Sequence, residues 1–345
     1  MYKTKIIDLK KDRETGIKKA GKILKEGGVV AFPTETVYGL GADALNARAV
    51  KKIFEAKGRP ADNPLIVHIS KITDVDKIAF VTDTAKKVMD TFWPGPITIV
   101  LEAKDIVSDA VTAGLKTVAV RMPENEYARE LIKESGVLIA APSANLSGRP
   151  SPTTALHVKE DLNGKIPLIL DGGECSVGLE STVVDVSNDK CVILRPGGVT
   201  LEMLKAVLGD VRLNDGVLSK KEVKGVPKSP GMKYKHYAPR AEVFIVEGKN
   251  EEEITSKVIK HASQDKEASK KPVILCTDKR ANVYSGFILL SLGQSSEDIA
   301  KRLFYTLREA DDIGADTIYF EAIPENGIGL AVMNRVLKSA AFKKI

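Results

Sequence analysis

The chain has 345 residues, 43% hydrophobic and 28% charged, with three cysteines and a formal net charge of +6. That length suits two domains with separate cores, and the composition is that of a soluble globular protein. No apolar run reaches the roughly 20 residues of a membrane helix, the N-terminus has no apolar centre like that of a secretory signal, and an odd number of cysteines without metal spacing suits a reducing cytoplasm.

The charge is localised. Residues 1–210 carry 29 basic and 28 acidic side chains and residues 241–345 carry 15 and 16, whereas residues 211–240 carry 8 and 2. A uniformly basic surface would argue for nucleic acid. A basic connector argues instead for a solvated linker or for a strap that meets an anion.

In chain order, Gly27-Gly28 lead into an apolar run at 29–32 of the buried-strand type. Asn46 caps an amphipathic helix that ends before Gly58. Further strands are expected at 65–69, 97–101, 117–121, 137–141, 167–170, 181–186 and 192–194, with helices near 83–91, 124–134, 153–161 and 200–208. Some strands follow one another directly, so the first domain reads as a mixed α/β sheet. After the connector, strands at 243–246, 273–276, 287–291 and 318–320 alternate with helices near 251–263 and 296–311, the pattern of a small parallel, doubly wound sheet. A last helix near 329–342 turns Ala331, Val332, Val336 and Leu337 inward, and residues 264–271 read as a surface loop.

Two segments carry the chemistry. Lys57-Gly58-Arg59-Pro60-Ala61-Asp62-Asn63-Pro64 sets two cations and an amide in a stiffened turn at a helix end, just before a strand that carries His68. Arginine offers a fork for phosphate oxygens and lysine a mobile point charge. Ala141-Pro142-Ser143-Ala144-Asn145-Leu146-Ser147-Gly148 adds short hydrogen-bonding side chains beside another strand. Arg121 ends a strand, where polar groups of α/β sheets tend to face ligands, and it can clamp a carboxylate. Pro33-Thr34-Glu35-Thr36-Val37-Tyr38-Gly39-Leu40-Gly41, the glycine turns at 171–173 and 178–182, and Arg195-Pro196-Gly197-Gly198 are further polar turns. None of these is a Walker or GxGxxG loop, and there is no HExxH spacing and no hydrolase-type triad order. Charge positioning around a polyanion, not covalent nucleophilic catalysis, is the chemistry these residues suit.

Together with Trp93-Pro94-Gly95-Pro96, residues 229–239 and Asn334-Arg335, these motifs resemble the L-threonylcarbamoyladenylate synthase family in its long form, across essentially the whole chain. The resemblance implies a YrdC-like twisted mixed sheet over 1–210, a basic linker or lid over 211–240 with Lys233, Lys235 and Tyr237 closing on the triphosphate, and a Sua-type Rossmann-like domain over 241–345. It implies condensation of L-threonine, bicarbonate or CO2, and ATP with Mg2+ into threonylcarbamoyl-AMP and pyrophosphate, in the cytoplasm. A threonylcarbamoyl transferase would then use the product on tRNA. Lys57, Arg59, Ser143 and Asn145 would surround the nucleotide phosphates; Asn63, Thr117, Ser151, Arg195 and Tyr237 would complete the ATP site. Thr36, His68, Arg121, Ala141 and Ser181 would hold threonine, with no protein-bound metal. Two alternatives remain: an RNA-binding module without adenylate-forming activity, which the balanced charge of residues 1–210 weakens, and a carbamoyl-adenylate enzyme for another amine. Direct tRNA binding is left open.

Overall fold

Gly39 and Gly41 lie where a Cβ would meet the Phe32 ring within about 3 Å, so the strands Val30–Phe32 and Gly39–Asp43 can close against each other in an antiparallel pair. This hairpin sits inside a large mixed sheet. In the computed structural model, which describes residues 2–219 and 237–345, that sheet has 12 strands among the described residues. Its order runs Lys5–Asp8, Leu168–Asp171, Val30–Phe32, Gly39–Asp43, Ile139–Ala141, Ile66–His68, Thr117–Arg121, Ile97–Ala103, Thr182–Asp185, Cys191–Arg195, Val211–Leu213, with Ala79–Phe80 paired to Ile97–Ala103.

Parallel and antiparallel pairings mix along it, as direct strand-to-strand succession in the sequence implies. The first helix, Arg13–Lys25, and Glu126–Ser135 pack on each other and bury Leu24, Leu131 and Ile132 with Phe32 and Ile139. Neither the helix Arg13–Lys25 nor the edge strand Lys5–Asp8 is anticipated above. Lysines dominate the helix's outer face, and the strand is short and half polar, so its pairing with Leu168–Asp171 is a long-range event.

The chain divides into two compact units. Of the described residues, those up to Ser147 and from Ser151 to 219 form one, and Gly148–Pro150 with the residues from Tyr237 onward form the other. Val211–Leu213 pairs parallel with Cys191–Arg195 and buries Val211, so the first sheet runs past residue 210, where the charge count ends the first domain. At the far end of the connector, the Arg240 backbone N–H donates to Asp311 of the second unit. Residues 220–236, including Lys233 and Lys235, lie outside the described residues.

The second unit is a four-stranded parallel sheet in the order Glu242–Val246, Thr317–Glu321, Pro272–Cys276, Ile288–Ser291. Alternate residues are buried on both faces: Phe244, Ile274 and Tyr319 join one apolar cluster, while Ile245, Leu275 and Phe320 are buried on the other side. The helix Glu251–Glu267 extends into the stretch read as a loop, because the Asn250 cap and Val258 and Ala262 in the core hold it through that polar tail. Asn334 and Arg335 are interior residues of Gly329–Ser339, where Arg335 donates to Asn334. Among the described residues no helix is long and apolar enough to cross a membrane.

Candidate active site

Alternation along Thr117–Arg121 puts Thr117, Ala119 and Arg121 on one face of the first sheet. The register carries this face sideways, with Ile66 and His68 opposite Ala119 and Arg121, and Ala141 opposite Ile66. Ile66, Val100, Ala119, Val183 and Leu194 form a small apolar patch at its centre. The main core takes the intervening residues Val67, Ile99, Val118 and Val120 on the other side. Thr117 and Arg121 therefore mark two ends of one face, about 13 Å apart at the rise of a strand.

Near one end lies the cationic turn. Lys57 is the last residue of the helix Ala47–Lys57, which Asn46 caps and Gly58 ends in a left-handed conformation at φ 60°. The Lys57 side chain is buried. Its ammonium donates to the Ser143 and Asn145 carbonyls at 2.5 and 2.6 Å and lies 3.4 Å from Asn145 Oδ1. Ser143 Oγ donates to Asn145 Oδ1 at 2.5 Å, and the Ser147 N–H returns to the Lys57 carbonyl at 3.0 Å. Lys57 is thus a fixed cation built into the loop, not the mobile point charge expected from its residue type. Arg59 continues the same turn, its N–H on the Phe54 carbonyl at 3.1 Å. Asn63 is fully buried, yet neither Oδ1 nor Nδ2 has a hydrogen-bond partner. A buried amide left so is costly.

At the other end Arg121 and Glu35 are each 4% exposed and 2.6 Å apart. Arg121 Nη1 donates to Thr36 Oγ1 at 2.8 Å, and Thr36 Oγ1 lies 2.9 Å from Thr34 Oγ1. Burial, the largest single influence, would raise the Glu35 carboxyl, but the Arg121 charge and the backbone and side-chain hydrogen bonds around it together hold Glu35 below the usual carboxylate range. His68 is pushed the opposite way for a base: burial, then the Arg121 charge, lower it to about 3, so its ring is neutral. Nδ1 lies 3.1 Å from the Ile66 carbonyl. A carbonyl can only accept, so Nδ1 carries the proton and Nε2 a lone pair. Cys175 is buried close by and its thiol is pushed well up by burial, which makes it inert as a nucleophile.

Between the ends, Arg195 donates from Nε to the Ser181 carbonyl at 3.1 Å and from Nη2 to Ser181 Oγ at 3.2 Å. Ser181 Oγ also lies 2.7 Å from Thr98 Oγ1. Ser151 Oγ donates to Glu180 at 2.5 Å, with both residues buried. Gly197 permits this crossing of turns, since a Cβ there would fall 2.3 Å from the Thr182 nitrogen.

The structure therefore interlocks Lys57, Ser143 and Asn145, joins Thr36 to Arg121 and Ser181 to Arg195, and aligns His68 and Ala141 on the Thr117–Arg121 face. Tyr237 belongs to the second unit, where its ring packs against Phe304, with centroids 5.1 Å apart and planes tilted by 31°, and the Arg335 guanidinium lies 5.7 Å from its centroid. Three site residues carry no role in the sequence reading: Glu35, Glu180 and Thr98. The first two sit inside quoted motifs, one residue before Thr36 and Ser181; Thr98 is found only from its place beside the strand Thr182–Asp185, where it meets Ser181. Among the described residues no group of three or more His, Cys, Asp or Glu could hold a metal ion.

The fold and this face define a two-unit α/β protein whose first unit presents a fixed cation-and-amide loop and a separate, salt-bridged polar pocket. A family model described as telomere recombination matches residues 22–197, and one described as threonylcarbamoyl-AMP synthase, C-terminal domain, matches residues 199–341. The chain is 47% identical over 333 residues to threonylcarbamoyl-AMP synthase of Pyrococcus abyssi, covering 96% of both chains. It is 48% identical over 334 residues to the Bacillus subtilis protein of that name, covering 95% of this chain and 94% of the relative. The structure of P. abyssi Sua5 complexed with L-threonine superposes with a TM-score of 0.92 at 46% identity, over 99% of this chain and 98% of that one. The chain belongs to the threonylcarbamoyl-AMP synthase family, in the form that carries both domains.

Proposed function

We propose that this protein condenses L-threonine, bicarbonate or CO2, and ATP into threonylcarbamoyl-AMP and pyrophosphate. The observation that carries the reading is the division of one sheet face between a cation-and-amide loop suited to phosphates and a pocket with Arg121 at its base, suited to an amino-acid carboxylate. Kinship with proteins named threonylcarbamoyl-AMP synthase along 96% of the chain, and with a Sua5 structure that contains L-threonine, supports it.

In this reading ATP enters as its magnesium complex. Arg59, Asn63, Ser143 and Ser151 face the nucleotide, with Thr117 and Arg195. Lys57 acts from within the loop, keeping Ser143 and Asn145 in place and lending its charge. Thr36, His68, Arg121, Ala141 and Ser181 hold threonine. The threonine nitrogen takes up CO2 and releases a proton to give a carbamate. A carbamate oxygen forms the new bond to the α-phosphorus while the bond to pyrophosphate breaks, so the enzyme is a nucleotidyltransferase. Holding the reactants in line supplies much of the acceleration. The cations of the loop stabilise charge gathering on the departing pyrophosphate. Neutral His68 adds no second positive charge beside Arg121. The product, a mixed anhydride, suits a downstream enzyme that transfers the threonylcarbamoyl group to a nucleophile on tRNA. Three free, buried cysteines suit a cytoplasmic setting.

The test is pyrophosphate release with mass detection of the adenylate, with and without L-threonine and bicarbonate. Product that requires both, and is lost in Arg59→Ala, supports the reading. Release of ADP and phosphate whatever amino acid is present overturns it.

A further inference from the structure

Arg121 and Glu35 form an incomplete pair. Their closest atoms, Nη2 and Oε1, are 2.6 Å apart, yet neither has a well-directed hydrogen-bond partner, and both are buried. The rest of each group is committed. Arg121 Nη1 donates to Thr36 and Nε points at the Gly95 carbonyl, 3.4 Å away. Glu35 Oε2 lies 3.4 Å from the Asn125 N–H. What remains is one buried donor beside one buried acceptor, of opposite charge, next to Thr36 and within electrostatic reach of His68. The two answer each other's charge but leave both atoms short of a well-aligned hydrogen bond, which a ligand presenting an acceptor beside a donor supplies.

An α-amino acid is such a ligand: its carboxylate and ammonium sit on one carbon, within a hydrogen-bond length of each other. We propose that Glu35 is a specificity-determining residue of this pocket, accepting from the α-ammonium of the amino acid while Arg121 holds its α-carboxylate. The proposal rests on the reading above that Arg121 faces the substrate carboxylate. Two further features agree with it. Glu35 is held ionised by Arg121 and so acts as an acceptor on both oxygens. The neighbouring titratable group, His68, is neutral and does not compete as a cation for Glu35. An ion pair in the empty pocket also spares Arg121 the penalty of an uncompensated buried charge before substrate arrives. A ligand with a carboxylate but no amine would fill the donor, leave the acceptor empty, and bring a second carboxylate beside Glu35.

The experiment is calorimetric titration of the full chain, without ATP, with L-threonine, with 3-hydroxybutyrate, which lacks the amine, and with L-threoninol, which lacks the carboxylate. Wild type is expected to bind threonine at least about 100-fold more tightly than either analogue, since each leaves one buried charge unanswered. Equal binding of threonine and 3-hydroxybutyrate by wild type overturns the proposal without need of any variant. Glu35→Gln is expected to weaken threonine about 10- to 100-fold and to leave 3-hydroxybutyrate unchanged or tighter, because carboxylate repulsion is relieved. Equal loss of both ligands in Glu35→Gln overturns it, because Glu35 would then act only by supporting Arg121. Arg121→Gln separates the two layers: undiminished threonine binding in that variant overturns the carboxylate reading itself, whereas a loss there with an unaffected Glu35→Gln overturns only the role of Glu35.

Discussion

Arg195 grips Ser181 twice, through the backbone carbonyl at 3.1 Å and the hydroxyl at 3.2 Å, so one guanidinium spans residues assigned to the nucleotide and to the amino acid. Neither subsite can shift without moving the other's wall. A double-mutant cycle on kcat/KM with Arg195→Ala and Ser181→Ala is expected to give a coupling of about 0.5–3 kcal/mol, as for contacting residues in one network. Ser181→Ala should raise the KM for ATP as well as that for threonine. Additive losses, with each variant affecting one substrate only, would show the subsites to be independent.

Lys57 is expected to fail as a site for conservative replacement. Its ammonium sits against three oxygens in a space shaped for a compact, three-donor head, and the planar guanidinium of Lys57→Arg has the wrong geometry for that cage. Lys57→Met leaves the Ser143 and Asn145 carbonyls without this donor and should destabilise the fold by about 1–3 kcal/mol. Urea unfolding measures that loss, and steady-state pyrophosphate release should fall by about 100-fold or more, as when one preorganised donor is removed. Wild-type turnover by Lys57→Arg would refute the caged-cation account.

Asn63 offers the opposite behaviour. Because both of its polar atoms are buried without partners, the near-isosteric Asn63→Leu should leave the ligand-free protein as stable or more so, by up to about 1–2 kcal/mol. The same change should weaken ATP about 10- to 100-fold, from the loss of one or two hydrogen bonds to a charged ligand. Thermal unfolding with and without nucleotide reads both effects. A destabilised apo protein with unchanged nucleotide affinity would make Asn63 a structural residue.

His68 sets a pH dependence of stability. Its folded-state value of about 3 lies below the unfolded value near 6.5, so the unfolded chain binds the extra proton between them. The stabilisation from keeping the ring neutral is complete above about pH 6.5 and declines as pH falls toward 3. Between pH 7 and pH 5 wild type should lose on the order of 2 kcal/mol to this group. His68→Gln should lack that component in parallel urea titrations. Identical slopes for the two proteins would mean that His68 titrates normally.

Much of the architecture was legible because it is local. Apolar runs of four or five residues between turns read as strands, and the bounds of Thr117–Arg121, Ile97–Ala103 and Cys191–Arg195 lie within two residues of the sequence reading. Asn46 starts its helix by accepting the Arg48 and Ala49 N–H groups on its side chain, and Gly58 ends it in a left-handed backbone conformation. The edge strand Lys5–Asp8 was illegible because its identity depends on a partner more than 160 residues away. The site was half legible. Charged and hydroxyl residues in stiffened turns announce a polar pocket, but which of them meet is a matter of sheet order.

The sequence by itself determined the two-part organisation, the charge balance, the elements with strong periodicity and, through motif resemblance, the family. Tertiary structure alone decided that Lys57 is locked against Ser143 and Asn145, that Glu35 answers Arg121, and that Ser181 bridges Thr98 and Arg195. Periodicity reports which side of an element is buried. Opposed charges and shared hydroxyls depend on strands distant in the chain becoming neighbours, and no local propensity encodes that distance.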